Sequence, residues 1–360
     1  MNKGGPERLT EPLFPAELIT GSVQNQEEFD AVFKRYSSWS STFIWIAVHM
    51  SDTRKWYENN WARITPYLDR DFADKFKSKE QHESRAWEFQ LAVALLDHGI
   101  KLRKKDWSHG PDFCTDHWSG ERIWIEAIAC EWGDVQPPPD LRIEGEAIIR
   151  DTEATREPSV GRITGAIHTK LLKINGYFAD PNSGVSKNDC LVVAVNGAAI
   201  QNYSDSGSLF QRAVLGRGPE VLTFSSKGKV DGQFYTIKPS HLKRSDKGDQ
   251  PLPSTFMEMD ELSEIGLVIY CGRTAYNSMS NGFAVGDDFL FAYHSKADNP
   301  IPLTLFKFGT AFRKDPATGQ IAQYKQTLWS AILFGALLPR FRFLSGLINL
   351  MGDVGRWGRN

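Results

Sequence analysis

Hydrophobic residues recur along this chain at two periods, and the change of period marks its elements. From Ser84 to Gly99 the apolar residues Trp87, Leu91, Ala94 and Leu95 return at helical steps, which line one face of a helix that Gly99 ends. Three extended stretches follow: a basic edge strand over Ile100–Asp106, a short strand over Asp112–Asp116 and a buried strand over Arg122–Cys130, with Gly120 in the last turn. The prolines at 137–139 announce a loop that continues to Pro158. Helical periodicity resumes over Gly161–Phe178, where Ile163, Ala166, Ile167, Leu171 and Ile174 share a face. The run LVVAV over Leu191–Val195 suits a central strand covered on both faces, and Ser208–Leu215 reads as a helix stopped by Gly216.

Either side of this block the pattern differs. Residues 1–79 read as helical and polar, anchored by Trp45, Trp56, Trp61 and Tyr67. Beyond residue 217, Phe234–Ile237, Ile265–Tyr270 and Phe289–Tyr293 read as strands, and Lys243–Pro253 as a surface loop. These features predict an α/β protein with a helical region over 1–79, a core over 80–217 and a β-rich extension of the sheet over 218–360. The apolar run Leu328–Leu338, broken by Pro339, Arg340 and Arg342, is too short to span a bilayer and predicts a buried terminal helix.

Composition narrows the class. Hydrophobic residues make up 41% of the 360 and charged residues 24%, ordinary for a globular protein. The net charge of −2 argues against a binder that relies on bulk positive charge, but leaves room for an enzyme with a local basic groove. The four cysteines form no CxxC pair, and with no leader-like N-terminus they read as reduced thiols of a cytoplasmic protein. His109, Cys114, His117 and Cys130 match no common zinc spacing. There is no phosphate-binding GxxxxGK[ST] loop, no GxSxG elbow and no HExxH pair.

The chemistry sits on acids. Asp112 follows Gly110-Pro111 at the head of one strand, and Glu126 lies inside the apolar strand of Ile123, Trp124, Ile125 and Ile128. A glutamate buried there is costly unless its charge is compensated, and a divalent cation shared with Asp112 is a simple compensation. Mg²⁺ or Mn²⁺ on Asp112 and Glu126, with the Ala127 carbonyl as a third ligand, suits phosphodiester hydrolysis. The plain alternative is that Asp112 caps a turn and Glu126 pairs with a buried arginine.

Pro111-Asp112, Glu126-Ala127-Ile128 and Glu88 on the preceding helix resemble the PD-(D/E)XK, or restriction-endonuclease-like, superfamily over about Ser84 to Asn196. The resemblance implies a metal-dependent endonuclease acting on nucleic acid, DNA first, in defence or a mobile element. It assigns metal binding to Asp112 and Glu126, with Glu88 as the helix acid. Where the pattern has its lysine, this chain has Ile128. Some members carry that lysine on a neighbouring helix, and Arg162, Lys170 and Lys173 stand on the next helix here. At about 100° per residue Lys170 falls about 20° from Ile163, on the sheet-facing side, which predicts that its ammonium reaches Glu126; Lys173 falls at the stripe's edge and is expected in solvent. Lys101, Arg103, Lys104, Lys105 and Arg162 are candidate phosphate contacts. A second copy of the chain is a further candidate partner. Two readings compete: an inactive protein of the same fold that binds nucleic acid or protein, and a membrane-associated protein using the C-terminal tail.

Overall fold

The computed structural model describes residues 11–20, 26–107, 109–131, 141–144, 147–150, 152–200, 206–224, 230–236, 241–243, 251–253, 256, 259–277, 285–314 and 321–326. It is a mixed α/β protein. Six helices come first: α1 (Ala16–Thr20), α2 (Gln26–Arg35), α3 (Ser41–His49), α4 (Ser51–Ile64), α5 (Phe72–Lys77) and α6 (His82–Asp97). Then come β1 (Phe113–Asp116), β2 (Arg122–Ala129), β3 (Leu141–Glu144), β4 (Ala147–Arg150), α7 (Thr152–Ala179), β5 (Cys190–Asn196) and α8 (Ser206–Leu215). The chain continues through β6 (Arg217–Phe224), β7 (Val230–Thr236), β8 (His241–Lys243), β9 (Pro251–Pro253), β10 (Leu267–Cys271), β11 (Leu290–Tyr293), β12 (Thr310–Lys314) and β13 (Ile321–Lys325).

Seven strands form one sheet in the order β1-β2-β5-β10-β11-β12-β13. The pairs β2–β5, β5–β10 and β11–β12 are parallel, and the others antiparallel. Strand β5 lies between β2 and β10 and is buried along its length, as its unbroken apolar run requires. The sheet therefore draws strands from both sides of residue 217.

Each face of the sheet carries its own core. Phe113, Ile123, Ile125, Ala127, Val192 and Ala194 face α6 and the N-terminal helices. Cys114, Trp124, Leu191, Val193 and Val195 face α7 and α8, meeting Ile163, Ile167, Leu171, Ile174 and Phe210. Helix α6 lies between sheet and N-terminal helices, so every residue from Ala86 to Leu95 is buried, polar Glu88 and Gln90 included. Its Trp87 Nε1 donates to the Ala194 carbonyl of β5 at 3.0 Å.

Several elements differ from the sequence reading. The basic stretch 100–106 forms no strand and meets β1 through the Leu102–Thr115 bridge. The stretch read as a loop to Pro158 holds the β3–β4 hairpin, and α7 begins at Thr152 and runs through Pro158. That proline has no N–H to give to the preceding turn, a loss the rest of a 28-residue helix outweighs. Within 243–253 the ends pair as β8 and β9, and β6, β12 and β13 lie where the sequence pattern marks no strand. Trp45 points outward against Phe29 and His49 instead of anchoring the core. The apolar tail 328–351 lies outside the described residues, among which no helix is long and apolar enough to cross a membrane.

Two glycines test the tight places of this fold. Gly309, just ahead of β12, has φ +73°, and a Cβ there would stand 2.4 Å from the Phe289 carbonyl oxygen. Gly120, in the β1–β2 turn, has φ +101° with open space around it. Gly309→Ala should cost about 2–4 kcal/mol, backbone strain plus overpacking, and Gly120→Ala about 1 kcal/mol. Urea unfolding of both variants measures this; equal costs would show that the Gly309 contact is not tight.

Candidate active site

The first two strands place their acids side by side. Phe113 faces Ile125 and Cys114 faces Trp124, and the same register carried one residue back sets Asp112 opposite Glu126. Opposed residues of an antiparallel pair share a face. Here it is the α7 face, to which Cys114 and Trp124 belong. The β1 ladder ends at Phe113, so the Ala127 N–H on that edge has no strand partner there; the Asp112 side chain takes it, Oδ2 accepting at 2.7 Å. In a strand the N–H and C=O of one residue point to the same edge, so the Ala127 carbonyl also looks toward Asp112.

Glu126 is 1% exposed, and α7 supplies its compensation. Lys170 Nζ and Lys173 Nζ both donate to Oε1 at 2.6 Å, and the Tyr177 hydroxyl donates to Oε2 at 3.2 Å. Three donors on one carboxyl make an acceptor site, which fits the ionised form. Burial, and after it the repulsion of Asp112, raise the Glu126 pKa, and the two ammonium groups work against that rise. Burial alone would lower the Lys173 ammonium; Glu126 overrides it and raises it. Burial and Glu126 together raise the Tyr177 phenol.

Lys170 stands where the helical wheel sets it, with a side chain 13% exposed. Lys173 corrects the reading that left it in solvent. Its side chain is 49% exposed, yet the four-carbon stem lets the ammonium reach inward from the stripe's edge. Tyr177 escaped the sequence reading, although Lys170, Lys173 and Tyr177 follow the i, i+3, i+7 spacing of one helix face. Among the described residues two lysines, and no arginine, pair with Glu126.

Glu88 is not at the rim of an open cleft. It is buried in α6, 2.7 Å from Arg85 Nη1, which also lies 3.4 Å from Asp69. Burial, then the charge of Asp112, push its pKa up to about 8, with Arg85 opposing. Among the candidate phosphate contacts, Lys101, Arg103 and Lys104 are exposed and Arg162 is half-buried. Lys105 is withdrawn from solvent instead: its side chain is 8% exposed and pairs with Asp69 at 2.7 Å. That pair joins residues 36 positions apart, beyond any local sequence signal.

Among the described residues no group of three or more His, Cys, Asp or Glu side chains is gathered to hold a metal ion. The corner offers two carboxylates and the Ala127 carbonyl, an all-oxygen set suited to Mg²⁺, which takes few protein ligands and keeps several waters. No family model matches this chain, and neither a curated protein nor a solved structure does.

The shift of Glu88 has a measurable consequence. A carboxyl titrating near 4.5 unfolded and about 8 folded contributes stability that is complete below 4.5 and lost as pH rises toward 8, at up to ~1.4 kcal/mol per pH unit. Glu88→Gln keeps an acceptor for Arg85 without the charge, so its stability should fall less between pH 5 and 8.5 than that of wild type. Urea midpoints at pH 5, 7 and 8.5 decide it; parallel profiles would mean that Glu88 stays ionised throughout.

Proposed function

We propose that this chain is a metal-dependent nuclease that hydrolyses phosphodiester bonds, DNA first, on a restriction-endonuclease-like core. The observation that carries the reading is the meeting of Lys170 and Lys173 with Glu126, opposite Asp112, in a chain whose motif lysine position holds Ile128. The topology supports it: a helix, the bridged stretch at Leu102, two antiparallel strands, a crossover helix and a parallel strand lie in sequence and in adjacent places.

In this reading Asp112, Glu126 and the Ala127 carbonyl hold the divalent cation. When bound, the cation supplies positive charge at the scissile phosphate and acidity to a coordinated water. The protein's groups do the rest. Lys170, sealed against the sheet, keeps Glu126 ionised and fixed in direction. Lys173, half in solvent, is the ammonium that can turn toward phosphate charge as it develops. Tyr177 holds the second oxygen of Glu126 and limits its rotation. Glu88, raised toward neutrality, keeps further negative charge away from Asp112.

One observation favours the binding-only alternative. Lys170 and Lys173 already balance Asp112 and Glu126, so the pair of acids needs no cation for neutrality. In that second reading the cluster pins α7 to the sheet and the protein binds nucleic acid or a protein without cutting.

Cleavage of a labelled DNA oligonucleotide with Mg²⁺ or Mn²⁺, together with calorimetric Mn²⁺ titration, separates the two. Asp112→Asn and Glu126→Gln should lose cutting and metal binding. Lys170→Met should lose about 100-fold or more in rate while still binding Mn²⁺. Lys173→Met should lose about tenfold, and Tyr177→Phe about fivefold, the worth of one hydrogen bond. A wild-type protein that binds DNA but neither takes up Mn²⁺ nor cuts establishes the binding-only alternative.

A further inference from the structure

The turn between β1 and β2 carries a tryptophan that stands almost wholly in solvent. The Trp118 side chain is 83% exposed. An isolated apolar side chain in water is common and by itself means little. What changes its meaning is its base and its neighbours.

The base is rigid. His117, beneath Trp118, is buried, and its Nε2 lies 3.1 Å from the Thr304 hydroxyl. Its Nδ1 contacts Ser119 Oγ and lies 3.4 Å from Glu121 Oε2. Backbone bonds close the turn, His117 N–H to the Glu121 carbonyl and Gly120 N–H to that of His117, each at 2.9 Å. The indole leans on the His117 ring, centroids 5.1 Å apart at 45°, and leaves its outer face to solvent.

The neighbours are basic and share a sheet face with the acids of the candidate site. Asp116 faces Arg122, as Cys114 faces Trp124, so Arg122 lies on the α7 face with Glu126. The Arg103 N–H bonds the Cys114 carbonyl at 2.8 Å, which sets Arg103 beside Cys114 on that face. Each arginine has a guanidinium nitrogen 3.8 Å from Asp116 Oδ1, beyond hydrogen-bond length, and Arg122 Nη1 reaches the Gly184 carbonyl at 3.4 Å. Exposed Lys101, two residues before Arg103, lies on the same face. Among them stand Asp116, Glu121 and Asp189, so the attraction for phosphate lies in the two guanidinium groups, which Asp116 approaches no closer than 3.8 Å.

We propose that Trp118 is a stacking platform for an unpaired base of a nucleic-acid strand. In this arrangement the strand lies along the β1–β2 edge, its phosphates drawn to Arg103 and Arg122. This rests on the nuclease reading and deepens it. At about 3.4 Å per strand residue, the four residues from Glu126 to Arg122 span about 14 Å, and the turn adds a few ångströms more. A strand held at Trp118 therefore passes Arg122 and Arg103 before it reaches the acids. Arginines bind the backbone regardless of sequence, and the indole accepts any base by its face. The substrate class is single-stranded nucleic acid, or the frayed end of a duplex, and the role of Trp118 is positioning.

The test uses the full chain carrying Glu126→Gln, so that nothing is cut, with a fluorescein-labelled oligothymidylate, the same length of duplex, and an oligothymidylate carrying one 2-aminopurine. Trp118→Ala in this background should weaken single-strand binding about 5- to 100-fold, with a smaller effect on blunt duplex, while Trp118→Phe keeps most of the affinity. The 2-aminopurine emission should be quenched by the parent and not by Trp118→Ala. Equal single-strand affinity and equal quenching with and without Trp118, in a protein that does bind, overturns the platform and leaves the nuclease reading standing. A parent that binds neither oligonucleotide overturns both. Loss of self-association in Trp118→Ala with nucleic-acid affinity unchanged overturns the platform and makes the tip a contact between copies.

Discussion

One buried charge organises the middle of this protein. Glu126 sits in a strand whose neighbours are apolar and whose other side is a second core, so its ionised form survives only with partners. Helix α7 brings Lys170, Lys173 and Tyr177 to it within 3.2 Å. An apolar stripe alone lets a helix slide or roll on a sheet with little penalty, because hydrophobic contact has no direction. A carboxylate gripped from both oxygens does have direction. It sets the rotation of α7 about its axis, and through the β2–α7–β5 crossover it helps to seat β5 in the centre of the sheet.

The same group ties the two ends of the candidate site together. Asp112 faces Glu126 across the strand pair and also acts on Glu88, on the far side of the sheet's edge. Four acids and their cations thus form a chain of interactions from Asp69, through Arg85 and Glu88, to Asp112 and Glu126. A change at one member is felt at the next, and double substitutions along it should not add.

How much of this could be read beforehand follows from the range of the signal. Helix α6 and strands β2 and β5 were legible because periodicity and apolar runs are local and long. Lys170 was legible because a lysine on an apolar stripe must meet an anion. Lys173 and Tyr177 were not: at the stripe's edge the wheel cannot tell a solvated side chain from one that bends inward. The Lys105–Asp69 pair depends on the whole fold bringing the N-terminal helices onto the sheet. Strands β12 and β13 are five residues each with mixed polarity, too short for alternation to stand out, and Pro158, which reads as the end of a loop, hid the first turns of α7.

The place of β5 has a consequence for how the protein is made. Seven consecutive buried residues form its length, and one of its edges pairs with β10, whose last residue follows 75 positions after Asn196. A ribosome adding about 5–20 residues per second needs roughly 4–15 s to deliver that partner. During that interval the residues of β2, α7 and β5 precede the strand that covers the far edge of β5, and an apolar strand edge without its partner is the kind of surface that recruits other strands. Newborn copies on one message are close neighbours during those seconds, so the hazardous moment for this protein is its synthesis, before the fold that hides the edge exists.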